Sequence, residues 1–384
     1  RLPLSTVETY GPGGRTDFID RLRVVLTALV ITHHTAITYG GSGSWFYREV
    51  TDGGQPSSLF LTLFCAVNQS FFMGMFFLLA GYFTPGSLQR KGPARFLMDR
   101  GLRLGVPLLA FGFVLGPLAV ALGSAPKGQM VLDTWTALLR SGTFVMGPLW
   151  FAWALLLFAL SWVVCVRVVP AEATRSTAVD SAMPSSRAWI LSALLVGCAA
   201  LTIRQWVPVG HNVLGLQLGY FASYVFLFFL GCRASAGRWL ERVAPEQART
   251  WGVVSLVTIP LLPLGAALSG AMAGKSVNFN GGLSAASVLY AFWEPFVAWG
   301  IIAVLLVRFR QRFNVPNPRW KRWGEEAYGA FFVHAPVVVA LSVLLAPWPA
   351  PPLLKFCLVS LASTALSFLA ARALRVLPGV ARVL

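Results

Sequence analysis

Long apolar segments separated by short polar ones dominate the pattern of this chain. A membrane-spanning helix needs about 20 mostly apolar residues, and ten segments approach or reach that length. They are Val24–Tyr39, Leu59–Phe83, Leu102–Leu122, Leu149–Val169, Trp189–Ile203, Val213–Cys232, Trp251–Met272, Ala285–Val307, Tyr328–Leu345 and Leu353–Leu374. The pattern predicts an all-α integral membrane protein, a bundle of about ten transmembrane helices.

The composition agrees with this interpretation. Of the 384 residues, 56% are hydrophobic and only 12% are charged, whereas soluble domains carry about 25% charged residues. Most of the chain must therefore lie in the lipid bilayer or against other embedded helices, and we expect one membrane domain over residues 1–384. The segment 170–187, rich in Ala, Ser and Thr, is predicted to be a flexible cytoplasmic linker between helices four and five.

The net charge of +17 would suggest nucleic-acid binding in a soluble protein. In a membrane protein, Lys and Arg instead collect in cytoplasmic loops. If the first segment is cytoplasmic, 25 of the 31 Lys and Arg residues fall on the inside and six on the outside. We therefore expect both termini in the cytoplasm and no nucleic-acid partner.

The cysteines and the first twenty residues exclude other classes. The five cysteines lie in or beside apolar runs without CxxC or Cys/His clustering, so neither a disulfide framework nor a metal site is expected. The first twenty residues are polar and the first apolar run contains two histidines, which is not the pattern of a signal peptide.

Ionisable groups inside a span are costly and usually mark function. Arg23 and His34 are eleven residues apart, close to three helical turns, so they share one face about 16 Å apart. Asp20 lies beside Arg23 on that face, and His33 points about a quarter-turn away. His34 is therefore expected deep in the membrane as a functional group. The alternative is that it only hydrogen-bonds between helices.

Further polar residues interrupt later spans. Glu294 lies midway through the eighth span and His334 in the ninth, two residues before Pro336. A buried carboxylate needs a partner or a proton, so Glu294 is either a catalytic candidate that tunes His34, or a neutral acid or part of a structural ion pair. His334 is a further candidate for catalysis, with a structural role as the alternative. Asn68 and Gln69 in the second span are interpreted as supporting residues.

Arg100 and Arg103 open the third span on one helix face. Two guanidinium groups in this arrangement suit bidentate phosphate binding, although the spacing is also that of an ordinary cytoplasmic anchor. Phosphate-binding arginines and a deeper imidazole suit a protein that takes an acyl group from a donor such as coenzyme A, with histidine deprotonating an acceptor hydroxyl. GxSxG, HExxH and Walker motifs are absent from the sequence.

Several motifs together resemble the bacterial acyltransferase family 3 membrane proteins. They are Arg23-x10-His34, the Arg100/Arg103 pair, the FFLLAGY stretch at 76–82 with Ala80 where the family usually has Ser, Pro148-Leu149-Trp150-Phe151, and Tyr328-x5-His334-x-Pro336. They cover about residues 17 to 340. The region from Glu294 to Arg310 resembles the subgroup of glucan succinyltransferases.

The resemblance implies a membrane O-acyltransferase of polysaccharide modification in the bacterial inner membrane. It implies cytoplasmic acyl-CoA, acetyl-CoA or succinyl-CoA, as co-substrate, with no permanently bound cofactor, and a carbohydrate or glycolipid acceptor. It also implies that His34 is catalytic, as a general base or as an acyl carrier, and that Arg23, Arg100 and Arg103 serve the donor. The identity of the acyl group and the oligomeric state stay open.

A proton-coupled secondary transporter or exporter of a carbohydrate or lipid is the alternative function. Buried His and Glu side chains also serve as proton relays in transporters, and ten spans suit inverted repeats. Against this, the two halves show no paired broken helices in corresponding positions.

Overall fold

The computed structural model describes residues 17–168 and 182–384, and these are helical apart from their connecting loops. Residues 170–181 of the predicted linker lie outside the described residues, and Ser186 already begins the next helix. The bundle helices are α1 (Asp17–Thr38), α2 (Pro56–Lys91), α3 (Pro93–Lys127), α4 (Gly147–Val168), α5 (Ser186–Trp206), α6 (Leu218–Gly237), α7 (Pro245–Ala273), α8 (Ala285–Phe313), α9 (Pro318–Leu344) and α10 (Pro352–Arg375).

In the described part of the chain, nine helices are long and apolar enough to cross a membrane. They are α2 to α10, and each overlaps one of the predicted spans. α1 is the tenth helix of the bundle, and it is less apolar because it begins with Asp17, Asp20, Arg21 and Arg23 and contains two histidines. The prediction of an all-α membrane bundle is confirmed.

α1 lies inside the bundle, where it packs against α2, α8, α9 and α10. Most of its residues are buried, including Leu22, Leu26 and Val30. A helix that is enclosed on several sides can hold polar side chains away from lipid, as the polar residues of spanning helices require. This position explains how two histidines are accommodated on α1.

The close packing of α2 on α6 depends on two glycines. A Cβ atom at Gly81 would lie 2.1 Å from the carbonyl oxygen of Phe228, and one at Gly231 would lie 2.2 Å from that of Leu78. Small residues let helix backbones approach closely in membranes. Gly81 belongs to the FFLLAGY stretch, so this part of the motif serves helix packing.

α3 is irregular because two π-helical segments interrupt it, at Gly101–Gly105 and Phe111–Leu115. Such segments are rare and occur often at functional sites. Arg103 lies in the first of them, close to the end of the bundle at which α1 begins. This end, which carries Arg23, Arg100 and Arg103, is called the basic end below.

Candidate active site

Two histidines from distant parts of the chain meet inside the bundle. His34 on α1 and His334 on α9 lie with the Nδ1 atom of His34 3.0 Å from the Nε2 atom of His334. Nδ1 of His334 is in turn 2.6 Å from the carbonyl oxygen of Phe331. His334 is fully buried, and His34 is half-buried. The structure thus joins the two histidines through one ring-to-ring hydrogen bond.

The direction of these hydrogen bonds follows from the chemistry of the groups. A carbonyl oxygen only accepts, so Nδ1 of His334 carries the proton and donates to Phe331. The Nε2 atom of neutral His334 then holds a lone pair and accepts from Nδ1–H of His34. Nε2 of His34 is consequently left unprotonated, and this is the state that a general base needs.

Pro336 lies close to this hydrogen-bonded pair. A proline lacks the N–H that would bond to the carbonyl four residues earlier, here that of Phe332, and Pro336 lies inside α9. The neighbouring carbonyl of Phe331 is the one that accepts from His334. The His-x-Pro pattern thus places Pro336 two residues after the imidazole that the Phe331 carbonyl fixes.

His34 lines a cavity of about 1740 Å³ at the end of the bundle opposite the basic end. Its walls come from the α1–α2 loop, the start of α4, the residues leading into α6 and the connection from α7 to α8. None of the described residues that line it is Asp, Glu, Lys or Arg. Aromatic and amide side chains provide much of the wall, among them Trp45, Trp150, Tyr220, Tyr224, Tyr290, Gln69, Gln217, Asn212 and Asn280.

The predicted supporting residues lie near His34 in different roles. His33 is buried and its ring meets those of His34 and Phe72, at centroid distances of 5.6 and 4.8 Å. Gln69 lines the cavity and donates from Nε2 to the hydroxyl of Tyr224 at 2.7 Å. Asn68 is buried on α2. Of the adjacent residues Asn68 and Gln69, only Gln69 lines the cavity.

The three arginines predicted to bind a donor come together at the basic end. Arg23 pairs with Asp20 at 3.3 Å and lies 4.9 Å above the ring of Phe83. Arg100 is close enough to Arg23 and Arg103 for their positive charges to repel. Such a cluster of exposed or half-exposed cations attracts an anion.

The carboxylate of Asp99 partly neutralises this cluster of cations. Arg103 is mostly exposed and lies 3.5 Å from Asp99. Lys91 donates to the same carboxylate at 2.8 Å. Three cations from α1 and α3, with Lys91 beside them, therefore share two carboxylates, Asp20 and Asp99, and the cluster keeps a net positive charge.

Packed side chains fill the α1 face between the basic end and His34. On this face Leu26 and Val30 are each 1% exposed. Arg23, Arg100 and Arg103 are not among the residues that line the cavity at His34. In this conformation the described residues thus separate the arginine cluster from the imidazole by a layer of core side chains.

Of the alternatives left open for Glu294, the structure shows an ion pair, with Arg204 as the partner. Its carboxylate accepts a hydrogen bond from the guanidinium group of Arg204, and both side chains are buried. Arg204 also donates from Nε to the carbonyl of Gly219 at 2.9 Å and lies over the rings of Tyr220 and Tyr290. The structure therefore places Glu294 in an ion pair beside the cavity wall, and a role in catalysis stays a prediction.

Glu294→Gln is expected to lower the thermal stability of the protein strongly and to change kcat of the folded protein little. Breaking a buried pair leaves an uncompensated charge on Arg204, at a cost of about 3–5 kcal/mol. The measurement is the thermal unfolding midpoint in detergent, together with kcat of the folded protein. The matched control is Arg204→Met/Glu294→Gln, which should recover much of the stability because both charges are gone. A loss of kcat without loss of stability would contradict the structural role.

Sequence reasoning missed two side chains of this region. Trp45 stacks on His34 at a centroid distance of 3.9 Å and an interplanar angle of 12°, but it lies in a loop where an aromatic residue carries no helical pattern. Arg204 was placed outside the fifth span, yet it is 1% exposed inside α5. The sequence did offer a signal for this pair. An arginine near the end of a span needs a partner of opposite charge, and Glu294 was a buried carboxylate for which no cation had been identified.

The fold and the paired histidines define a polytopic membrane protein with an imidazole-centred site. A family model described as an acyltransferase domain, acyltransferase family 3, matches residues 16–372. The chain belongs to this family and is a multi-pass membrane acyltransferase. The resemblance inferred from the motifs is confirmed.

Curated relatives match over a shorter segment. Glucans biosynthesis protein C from Escherichia coli K12 is 34% identical over 98 residues, which are 26% of this chain and 24% of the relative. The protein of the same name from strain MC4100 matches equally. The similarity spans about a quarter of the length of these relatives. No solved structure matches.

Proposed function

We propose that this acyltransferase transfers an acyl group, acetyl or succinyl, from acyl-CoA to a hydroxyl of a carbohydrate or glycolipid of the cell envelope. The basic end would face the cytoplasm of a bacterium, with the protein in the inner membrane. The observation that supports the proposal most strongly is the hydrogen-bond series from His34 through His334 to Phe331, because it leaves Nε2 unprotonated on a side chain that lines the cavity.

In the proposed reaction, Nε2 of His34 removes the proton of the acceptor hydroxyl while the hydroxyl oxygen attacks the carbonyl carbon of the thioester. The new C–O bond forms, the C–S bond breaks, and the coenzyme A sulfur leaves with its electron pair. The proton on Nε2 then passes to this thiolate, which restores neutral His34. During the step the imidazolium form keeps its Nδ1–H bond to His334, which holds the ring in place as the carboxylate does in a Ser-His-Asp triad.

Donor binding is assigned to the basic end. Arg23, Arg100 and Arg103 form a net positive cluster there, and guanidinium groups bind phosphates well. The extended arm of coenzyme A separates its phosphates from its thioester, so phosphates at this end would direct the thioester into the bundle. Leu26 and Val30 would have to move aside for it, and we therefore expect the donor to bind a more open conformation.

Acceptor binding is assigned to the cavity at the opposite end. An uncharged wall with aromatic rings and amide groups suits a neutral sugar, whose hydroxyls bond to amides and whose apolar faces pack on rings. The lining contains no cation to pair with an acidic glycan among the described residues. The name of the relatives, glucans biosynthesis protein C, also points to a neutral glycan.

The test is acyl transfer by the purified protein in lipid nanodiscs. Labelled acetyl-CoA and succinyl-CoA are each incubated with a neutral glucan oligosaccharide and with an acidic oligosaccharide, and products are identified by mass. The proposal predicts an acylated neutral sugar and free coenzyme A in equal amounts. Proton-coupled sugar uptake into vesicles without consumption of acyl-CoA would contradict it and support a transporter.

Arg103→Ala is expected to raise the KM for acyl-CoA about five- to tenfold with little change in kcat. The reason is that an exposed phosphate contact contributes on the order of 1–1.4 kcal/mol to binding, and 1.4 kcal/mol is tenfold. The measurement is steady-state kinetics with acyl-CoA as the varied substrate. Arg249→Ala, an exposed arginine on α7, is the control and should leave KM unchanged. An unaltered KM in Arg103→Ala would remove the assigned role.

A further inference from the structure

The loop between α1 and α2, residues 39–55, brings Trp45 into the bundle. The indole ring lies nearly parallel to His34, with an angle of 12° and a centroid distance of 3.9 Å. It is also parallel to His334, at 15° and 5.9 Å. His34 and His334 lie edge to edge through their hydrogen bond, and Trp45 covers one face of the His34 imidazole.

Backbone hydrogen bonds hold the loop against the end of α1. The amides of Glu49 and Val50 donate to the carbonyl of Thr38 at 2.9 and 3.2 Å. The loop is therefore folded back onto the helix that carries His34.

A buried ion pair ties the same loop to α10. Nζ of Lys355 donates to the carboxylate of Glu49 at 2.6 Å and lies 3.3 Å from the carbonyl of Ala346. The Lys355 side chain is only 3% exposed. A buried lysine without its partner is strongly unfavourable, so Glu49 keeps the loop in the position that places Trp45 on His34.

We propose that Trp45 is a positioning residue for His34, held in place by the Glu49–Lys355 pair; this inference rests on the proposed function of His34 as the base. With His334 bonded to Nδ1 and the indole covering one face, the ring has little freedom to rotate, so Nε2 points in one direction. The indole face also attracts a cation, and the imidazole becomes cationic during proton removal. The contact therefore favours the state that forms during the reaction over the resting state.

The experiment compares Trp45→Leu with Trp45→Phe in the nanodisc assay. Trp45→Leu removes the aromatic face and should lower kcat about tenfold, while the KM for acyl-CoA stays within twofold. Trp45→Phe keeps a weaker aromatic face and should retain most of the turnover. Equal losses in both variants, or a loss confined to the KM for the acceptor, would overturn the inference in favour of packing or of substrate binding.

The Lys355→Met variant tests the tether separately. Without the ammonium group the loop loses its bond to α10, and kcat should fall several-fold in wild-type protein but not further in Trp45→Leu. Thermal unfolding of each variant shows whether the protein is folded. If His34→Ala leaves turnover unchanged, the proposed function itself is wrong. If His34→Ala is inactive and Trp45→Leu is normal, only the inference on Trp45 is wrong.

Discussion

His34→Ala is expected to lower kcat by about 10²- to 10⁴-fold, the range that a positioned general base contributes. The structure supplies the reason, because His34 lines the cavity and its Nε2 atom is left unprotonated by the hydrogen bond of Nδ1 to His334. The measurement is single-turnover and steady-state acyl transfer with saturating acyl-CoA. Binding of acyl-CoA at the basic end should change little, since the arginine cluster is separate from the imidazole.

The matched control for this variant is His211→Ala. His211 is exposed in the segment between α5 and α6 and is not among the cavity-lining residues. It should keep wild-type kcat, which shows that losing one of the four histidines does not by itself impair the enzyme. Turnover by His34→Ala at the wild-type rate would exclude His34 as the base and as an acyl carrier.

His334→Ala is expected to lower kcat about 100-fold or more with the KM of both substrates nearly unchanged. Without His334, Nδ1–H of His34 loses its acceptor, so the proton can move to Nε2 and abolish the base, as happens when the orienting carboxylate of a catalytic triad is replaced. The measurement is the same kinetic assay. His334→Gln should recover part of the rate because its amide oxygen can accept from Nδ1–H.

The two histidines should behave as one unit. The double variant His34→Ala/His334→Ala is expected to be no slower than His34→Ala, because residues that act together give strongly non-additive losses. Losses that multiply in the double variant would mean that His334 acts independently of His34. A stability loss common to both His334 variants would identify His334 as a packing residue.

The bundle could be predicted from the sequence because spanning helices have a strong local signal. Among the residues that the structure describes, nine of the ten predicted spans coincide with helices that can cross a membrane, and the first span, which carries the histidines, coincides with α1. The ends of the helices were predicted less well than their existence, since α1 begins already at Asp17 and α2 extends to Lys91. Charged residues at these ends contribute no apolar signal, although they continue the helix.

The site was predictable in its components but not in its pairings. His34 and His334 were singled out as rare polar residues in apolar spans, yet no local pattern in the sequence shows that α1 packs beside α9. For the same reason the sequence could not choose between His34 and an ion-pair partner for Glu294, whereas packing of α5 on α8 gives it Arg204. Trp45 was missed because loop conformation, which places its ring on His34, has no periodic signature.

The central claim is that Nε2 of His34 is unprotonated because Nδ1–H donates to His334. It is tested most directly by solid-state NMR of the protein in bilayers with ¹⁵N-labelled histidine, since the chain has only four histidines and single substitutions assign each signal. We predict that His34 and His334 both carry their proton on Nδ1 at neutral pH. A resting enzyme with the proton on Nε2 of His34 would contradict the account.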